Sequence, residues 1–154
     1  MIDPRAKGII DTIRYITIAS VSPDDLPHNT PVFAAHDAKY NFYFGTHKDS
    51  QKARNILANP NIFVVIYDST VFAGEGLGLY LQATATPVTD PTEIAAGHKL
   101  LWDRRDVPYW KLEEFAEPTP LVMFKVTPTK AWLNGGSRKN GHYIDIREEI
   151  SLLN

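Results

Sequence analysis

Thr46, Ser50 and Lys52 place two hydroxyl donors and one full positive charge on a single short stretch of chain. The chemistry open to such a set is the binding of an anion, above all a phosphate. Asp49 or Ser50 can cap a helix that begins at Gln51-Lys52 and carries Ala53, Ile56 and Leu57 as its apolar stripe, and Asn59-Pro60-Asn61 stops it. A helix start leaves backbone N–H groups unpaired and carries the positive end of the helix dipole, so it favours the same ligand. Just upstream, Asn29, Thr30, Pro31, Val32, Phe33 and Ala34 belong to an extended run that can lay its backbone N–H and C=O groups along a flat ring. Together the two pieces point to a phosphorylated aromatic cofactor.

The elements that must position these residues are read from periodicity and turn chemistry. Asp3-Pro4 starts a short helix over 4–14 with Ala6, Ile9, Ile10 and Ile13 on one side. Strands are predicted over 15–21, 29–36 and 42–44, the last ending at Gly45-Thr46, then over 62–67 and 79–88. Asp90-Pro91-Thr92-Glu93 starts a third helix that runs to about Arg105, with Glu93 at the capping-box position. Further strands are expected over 121–126, 131–133 and 142–146, the last two around a Gly135-Gly136 turn. About seven strands with three scattered helices argue for an antiparallel barrel decorated by helices, not a parallel sheet.

Composition narrows the function. The 154 residues predict one domain, 1–154, with no internal repeat. There is no cysteine, which removes thiol catalysis and Cys-ligated metals. Sixteen basic against 18 acidic residues give a net charge of −2, so no nucleic-acid partner is expected. No stretch approaches the ~20 apolar residues of a membrane span, and the N-terminus lacks signal-peptide character. A cytoplasmic location is the expectation.

Other residues that invite a chemical reading have a plainer one. His28, His36, His47, His98 and His142 are scattered without metal-type spacing, so no metal site is predicted; His47 is kept as a cofactor candidate because it follows Thr46. Gly74, Gly76 and Gly78 lack the spacing of a dinucleotide fingerprint and read as a loop needing unusual backbone angles. Arg54 points to another side of its helix from Lys52. Trp102, Trp110 and Trp132 read as core or interface aromatics. The loose, Pro- and aromatic-rich stretch 106–120 is long enough for a functional lid, and is expected to cover the cofactor and select the substrate.

Read in order, Leu26-Pro27-His28-Asn29-Thr30-Pro31-Val32-Phe33, Phe42-Tyr43-Phe44-Gly45-Thr46, Asp49-Ser50-Gln51-Lys52-Ala53-Arg54-Asn55-Ile56 with Asn59-Pro60, and 76–85 resemble the FMN-binding split-barrel proteins related to pyridoxamine 5′-phosphate oxidase. The resemblance runs from about residue 12 to residue 130. It implies a mainly β fold with helices, an antiparallel six-stranded split β-barrel, and a homodimer with FMN at the subunit interface. It implies that residues 29–34 line the isoalloxazine and ribityl chain, that Thr46, Ser50 and Lys52 hold the phosphate, and that Gly45, His47 and Gln51 are cofactor-binding residues beside them. Gln51 stands where the family usually has a basic residue, which weakens that grip. Asn29 and Ala34 stand where pyridoxamine phosphate oxidase proper has basic residues, and its C-terminal Arg-x-His motif has no counterpart, the nearest segment being Gly141-His142-Tyr143. A substrate phosphate would lack its charge partners here. The expected activity is therefore a flavin-dependent oxidoreduction of another small organic molecule. F420 in place of FMN, a flavin-binding module without turnover, and a heme-binding module are the alternatives.

Overall fold

The computed structural model describes residues 1–152. Strands β1 (Tyr15–Val21), β2 (Pro27–Phe33), β3 (Ala35–His36), β4 (Phe42–His47), β5 (Asn61–Tyr67), β6 (Gly78–Pro87), β7 (Leu121–Lys139) and β8 (His142–Ile150) are joined with helices α1 (Pro4–Thr12), α2 (Gln51–Ala58) and α3 (Pro91–Arg104) and a short 3₁₀ helix at Leu112–Phe115. The strands form one sheet in the order β2-β1-β5-β6-β7-β4-β3, with β8 on β7. Every pairing is antiparallel.

Alternation decides which way each strand faces. Ile16 and Ile18, Ile62, Val64 and Ile66, and Leu79, Leu81, Ala83 and Ala85 all point into one core with Phe42, Phe44, Phe124 and Val126. Helix α1 covers that core with Ala6, Ile9 and Ile10. β4 is buried on both sides: its alternate residue Tyr43 joins a second cluster with Leu121, Met123, Leu101 and Phe115, beneath α3. Gly97 allows this close approach, because a Cβ there would lie 2.6 Å from the Met123 sulfur and 2.8 Å from the Tyr43 ring. No helix among the described residues is long and apolar enough to cross a membrane.

The sheet differs from the expected six-stranded barrel in two respects. Among the described residues there are eight strands, and the sheet is open, ending at β2 on one side and β3 on the other. The two additional strands are β3, only two residues long, and β8, an exposed strand in a hairpin that reaches beyond the core. β2 nonetheless comes close to β4 without a ladder between them. The remaining six strands thus curl around the core and leave a gap between β2 and β4.

β7 is continuous where two strands and a turn were predicted. Pro128 lies between the two predicted strands, where it pairs with Ala83 at a register shift, a bulge that tolerates a residue without an N–H. The turn falls at Asn140-Gly141, with φ of 52° and 80°, the positive angles a two-residue hairpin turn requires. Gly135 and Gly136 lie inside β7; the Tyr143 ring fills the space where a Gly136 Cβ would sit, 2.3 Å away. The helix caps follow expectation: Asp3 accepts from the Arg5 N–H, Ser50 from Ala53, and Asp90 from Thr92 and Glu93. Glu93 does not close a capping box; its carboxylate accepts from Lys125 (2.7 Å) and the Tyr43 hydroxyl (3.1 Å) instead. On α2 the stripe is Ala53, Asn55 and Ile56, since Leu57 is exposed and the buried Asn55 amide donates to the Ser20 hydroxyl at 3.1 Å.

One long-range contact ties α3 to α1. The half-buried Arg104 guanidinium donates to the Ile10 carbonyl at 2.5 Å and the Ile13 carbonyl at 2.8 Å, satisfying acceptors that the end of α1 leaves open. Arg104→Met keeps most of the side-chain volume but strips both carbonyls of their charged donor. It is expected to lower stability by about 1.5–3 kcal/mol, read as a lower urea midpoint.

Candidate functional site

At the end of β4 and the start of α2 the structure gathers Thr46, Ser50 and Lys52. The Thr46 and Ser50 hydroxyls share a hydrogen bond at 3.1 Å, and the Lys52 ammonium donates to Thr46 Oγ1 at 3.4 Å. Thr46 is at the inward-facing end of β4 and is buried; Ser50 is the α2 N-cap; Lys52 is half-buried. Among the described residues Lys52 has no carboxylate within ion-pair distance. A cation, two hydroxyls and the first, unpaired N–H groups of a helix therefore converge on one corner without an anion of their own.

The other predicted residues are distributed around that corner. On β2, Asn29 and Pro31 are exposed, Thr30 is half-buried, and Val32 packs inward; Ala34, just after the strand, is buried as well. β2 pairs with β1 alone, so its opposite edge is not used by the sheet. Phe33 turns outward between Tyr15 (ring centroids 6.1 Å) and Tyr109 (5.8 Å). His47 is exposed and meets Trp110 edge-on at 5.9 Å, away from Thr46 on the opposite side of β4. Gln51 is not drawn into the corner: its amide donates to Asn55 Oδ1 at 2.8 Å and its carbonyl accepts from Arg54 at 2.9 Å. Arg54 is exposed, on another side of α2 from Lys52, as its spacing implied.

Sequence reasoning did not single out Tyr109. It lies in the stretch between α3 and the 3₁₀ helix, and folds back onto β4 with Phe115. A Cβ at Gly45 would lie 2.8 Å from both the Phe115 ring and the Tyr109 hydroxyl, so glycine is what lets this aromatic cap sit down on the strand. His98 on α3 pins the stretch, donating from Nε2 to the Trp110 carbonyl at 2.8 Å. Arg14 pairs with Asp106 at its start, and Lys48 with Glu117 at 2.5 Å near its end. The stretch predicted as a lid is thus a packed aromatic cap, not a loose loop. The one available signal was the density of aromatic residues in a long connection.

Two clefts flank the cap. One, of about 650 Å³, opens between Phe33, Tyr15, Trp110 and the basic side chains of Arg14, Arg105 and Lys111. The other, of about 700 Å³, lies across the 3₁₀ helix and is walled by Val88, Ile94, Leu112 and Met123. The first includes Phe33 at the end of β2; the second is apolar and contains none of the predicted site residues. Among the described residues no three His, Asp or Glu side chains gather as metal ligands.

A family model described as pyridoxamine 5′-phosphate oxidase matches residues 2–135, spanning every element from α1 into β7. The chain belongs to the pyridoxamine 5′-phosphate oxidase family. No curated protein matches it. Among solved structures, the chain is similar to the conserved hypothetical protein Rv2991 from Mycobacterium tuberculosis, with a TM-score of 0.70 and 20% identity over 85% of this chain and 82% of that one. It is also similar to an F420 reductase, with a TM-score of 0.63 and 26% identity over 81% and 94% of the two chains. HutZ, the heme storage protein from Vibrio cholerae, shares the fold with a TM-score of 0.63 and 15% identity over 82% and 89%. Membership of the pyridoxamine 5′-phosphate oxidase family accounts for the antiparallel sheet with its covering helices.

Proposed function

We propose that this chain binds FMN and serves as a flavin-dependent oxidoreductase acting on a small organic molecule. The observation that carries the reading is the corner of Lys52, Thr46 and Ser50 at the end of β4 and the start of α2. A phosphate there would meet one ammonium, two hydroxyls and a helix start. The six-strand core then acts as a split barrel whose slit takes the ring, with β2 offering backbone groups along it and Phe33 an aromatic edge. When bound, FMN supplies the electron-transfer chemistry of its ring N5 and C4a positions. The protein's part is to hold the phosphate, orient the ring and keep water away with the cap formed by Tyr109, Trp110 and Phe115.

Pyridoxamine phosphate itself is a poor fit. Asn29 and Ala34 replace basic residues, and Ala34 is buried where it can touch no substrate charge. The cleft lined by Phe33 and Trp110 is instead the substrate entrance in this reading.

A homodimer completes the proposal. The outer side of the sheet carries a half-exposed stack of Phe63 on Trp132 (6.3 Å), with Tyr80 beside it and Arg147 4.3 Å above Tyr80. Tyr67 on that side and Phe72 in the loop after it are exposed. Apolar area of this kind is stabilised by a second copy, and a two-fold axis would repeat the site. F420 is the second reading, favoured by the likeness to the F420 reductase.

Native mass spectrometry of the purified protein, with its absorption spectrum, tests the whole reading. The expected result is a dimer carrying two FMN molecules and a flavin spectrum that bleaches anaerobically with a reduced nicotinamide. Copurified F420 would favour the second reading, copurified heme would overturn both, and flavin that never bleaches would leave a binding module in place of an enzyme.

A further inference from the structure

The Tyr109 hydroxyl is buried and makes no well-formed hydrogen bond among the described residues. The Gly45 backbone approaches it and favours the ionised phenol. An N–H has that effect by approaching the oxygen as a donor. The oxygen's own proton is left without an acceptor. Burying a hydroxyl in this state costs about 1–3 kcal/mol, and native proteins keep few such groups.

The ring is held from several sides. Phe33 on β2 lies 5.8 Å from it, Trp110 5.4 Å and His98 6.2 Å, while the hydroxyl rests on Gly45 of β4. Tyr109 therefore bridges the two strands that border the gap, and its unused proton is carried on the cap that closes it. The His98 ring does not relieve it: its Nε2 donates to the Trp110 carbonyl, and Tyr109 Oη has no hydrogen-bond partner among the described residues.

We propose that Tyr109 is a ligand-binding residue: its hydroxyl donates a hydrogen bond to an acceptor oxygen or nitrogen on the edge of a planar heterocycle held between β2 and β4. The inference rests on the flavin-binding reading and adds to it a residue from the cap. Ligand entry shifts the 106–115 stretch slightly and trades contact with Gly45 for the missing acceptor. Burial pushes the Tyr109 phenol up to about 12, so the group keeps its proton, and its ability to donate, throughout the neutral range.

The proposal sets two measurements in opposite directions. Tyr109→Phe removes a group that has no partner in the ligand-free protein but a use in the complex. Without ligand, the variant is expected to unfold at the same temperature as the parent chain or higher. Titrated with FMN and followed by quenching of flavin fluorescence, it is expected to bind about 3- to 10-fold more weakly, the scale of one neutral hydrogen bond. Equal FMN affinity of the variant and a binding-competent parent overturns the role of Tyr109 and leaves the flavin reading intact. Earlier unfolding of the ligand-free variant also overturns it, since the hydroxyl would then have a structural partner. A parent chain that fails to bind FMN removes the flavin reading first, and this inference with it.

Discussion

Phe44→Ala will cost about 3–5 kcal/mol of folding stability, the range for truncating a buried phenylalanine. Phe44 is 0% exposed and stacks on Phe124, also 0% exposed, with ring centroids 5.4 Å apart and planes 20° from parallel. The two residues are directly paired across β4 and β7, so the substitution opens a cavity where the ladder and the core meet. The sheet cannot collapse into that cavity without breaking a register fixed on both sides of β7, by β4 and by β6. A domain of this size is stable by ~5–15 kcal/mol, so the loss is a third or more of the total for most values in that range. Urea unfolding followed by tryptophan fluorescence measures it. A loss under about 1 kcal/mol would mean that the core repacks freely around β4.

Lys52→Ala is expected to have the opposite profile: little effect on folding and a large one on FMN. The ammonium makes a single, long hydrogen bond of 3.4 Å to Thr46 and no ion pair among the described residues, so the fold loses little without it. Bound to a phosphate, the same group makes charge-assisted hydrogen bonds worth about 1.5–3 kcal/mol, a weakening of roughly 10- to 150-fold on removal. The effect should shrink as salt is raised, because the corner is only partly buried and its charge is screened. FMN titration at two salt concentrations, with urea unfolding as the control, reads both parts. An unchanged affinity would reject Lys52 as the anchor, and with it the corner as the phosphate site.

Much of this was legible along the chain. Alternating Ile16 and Ile18, or Leu79 and Leu81, mark strands with one buried side because side chains in a strand reverse direction at each step. Asp3-Pro4 and Asp90-Pro91 mark helix starts because a short acceptor and a pre-set φ act within a few residues. The order strand, glycine, hydroxyl, cap, lysine brings Thr46, Ser50 and Lys52 together for the same reason: they lie within a few residues of one another. Where the reading failed, a local cue was outweighed by a distant partner. Gly135-Gly136 has turn composition, but the space beside Gly136 belongs to Tyr143 across the hairpin, and the positive-φ pair Asn140-Gly141 takes the turn. Glu93 has the capping-box position, but Lys125 from another strand holds its carboxylate. Leu57 has the helical spacing of a core residue, but Asn55 is the one buried, because Ser20 offers it a partner.

The sequence alone determined most of the elements and the nearness of Thr46, Ser50 and Lys52, since both depend on backbone geometry and side chains only a few positions apart. Which edges stay open, that β2 faces β4 across a gap, and that Tyr109 and Trp110 return from beyond α3 to cover Gly45 and His47 were decided by the tertiary structure. Those outcomes depend on how the volumes of distant side chains fit together, and that fit exists only once the sheet has curled and the helices have packed against it.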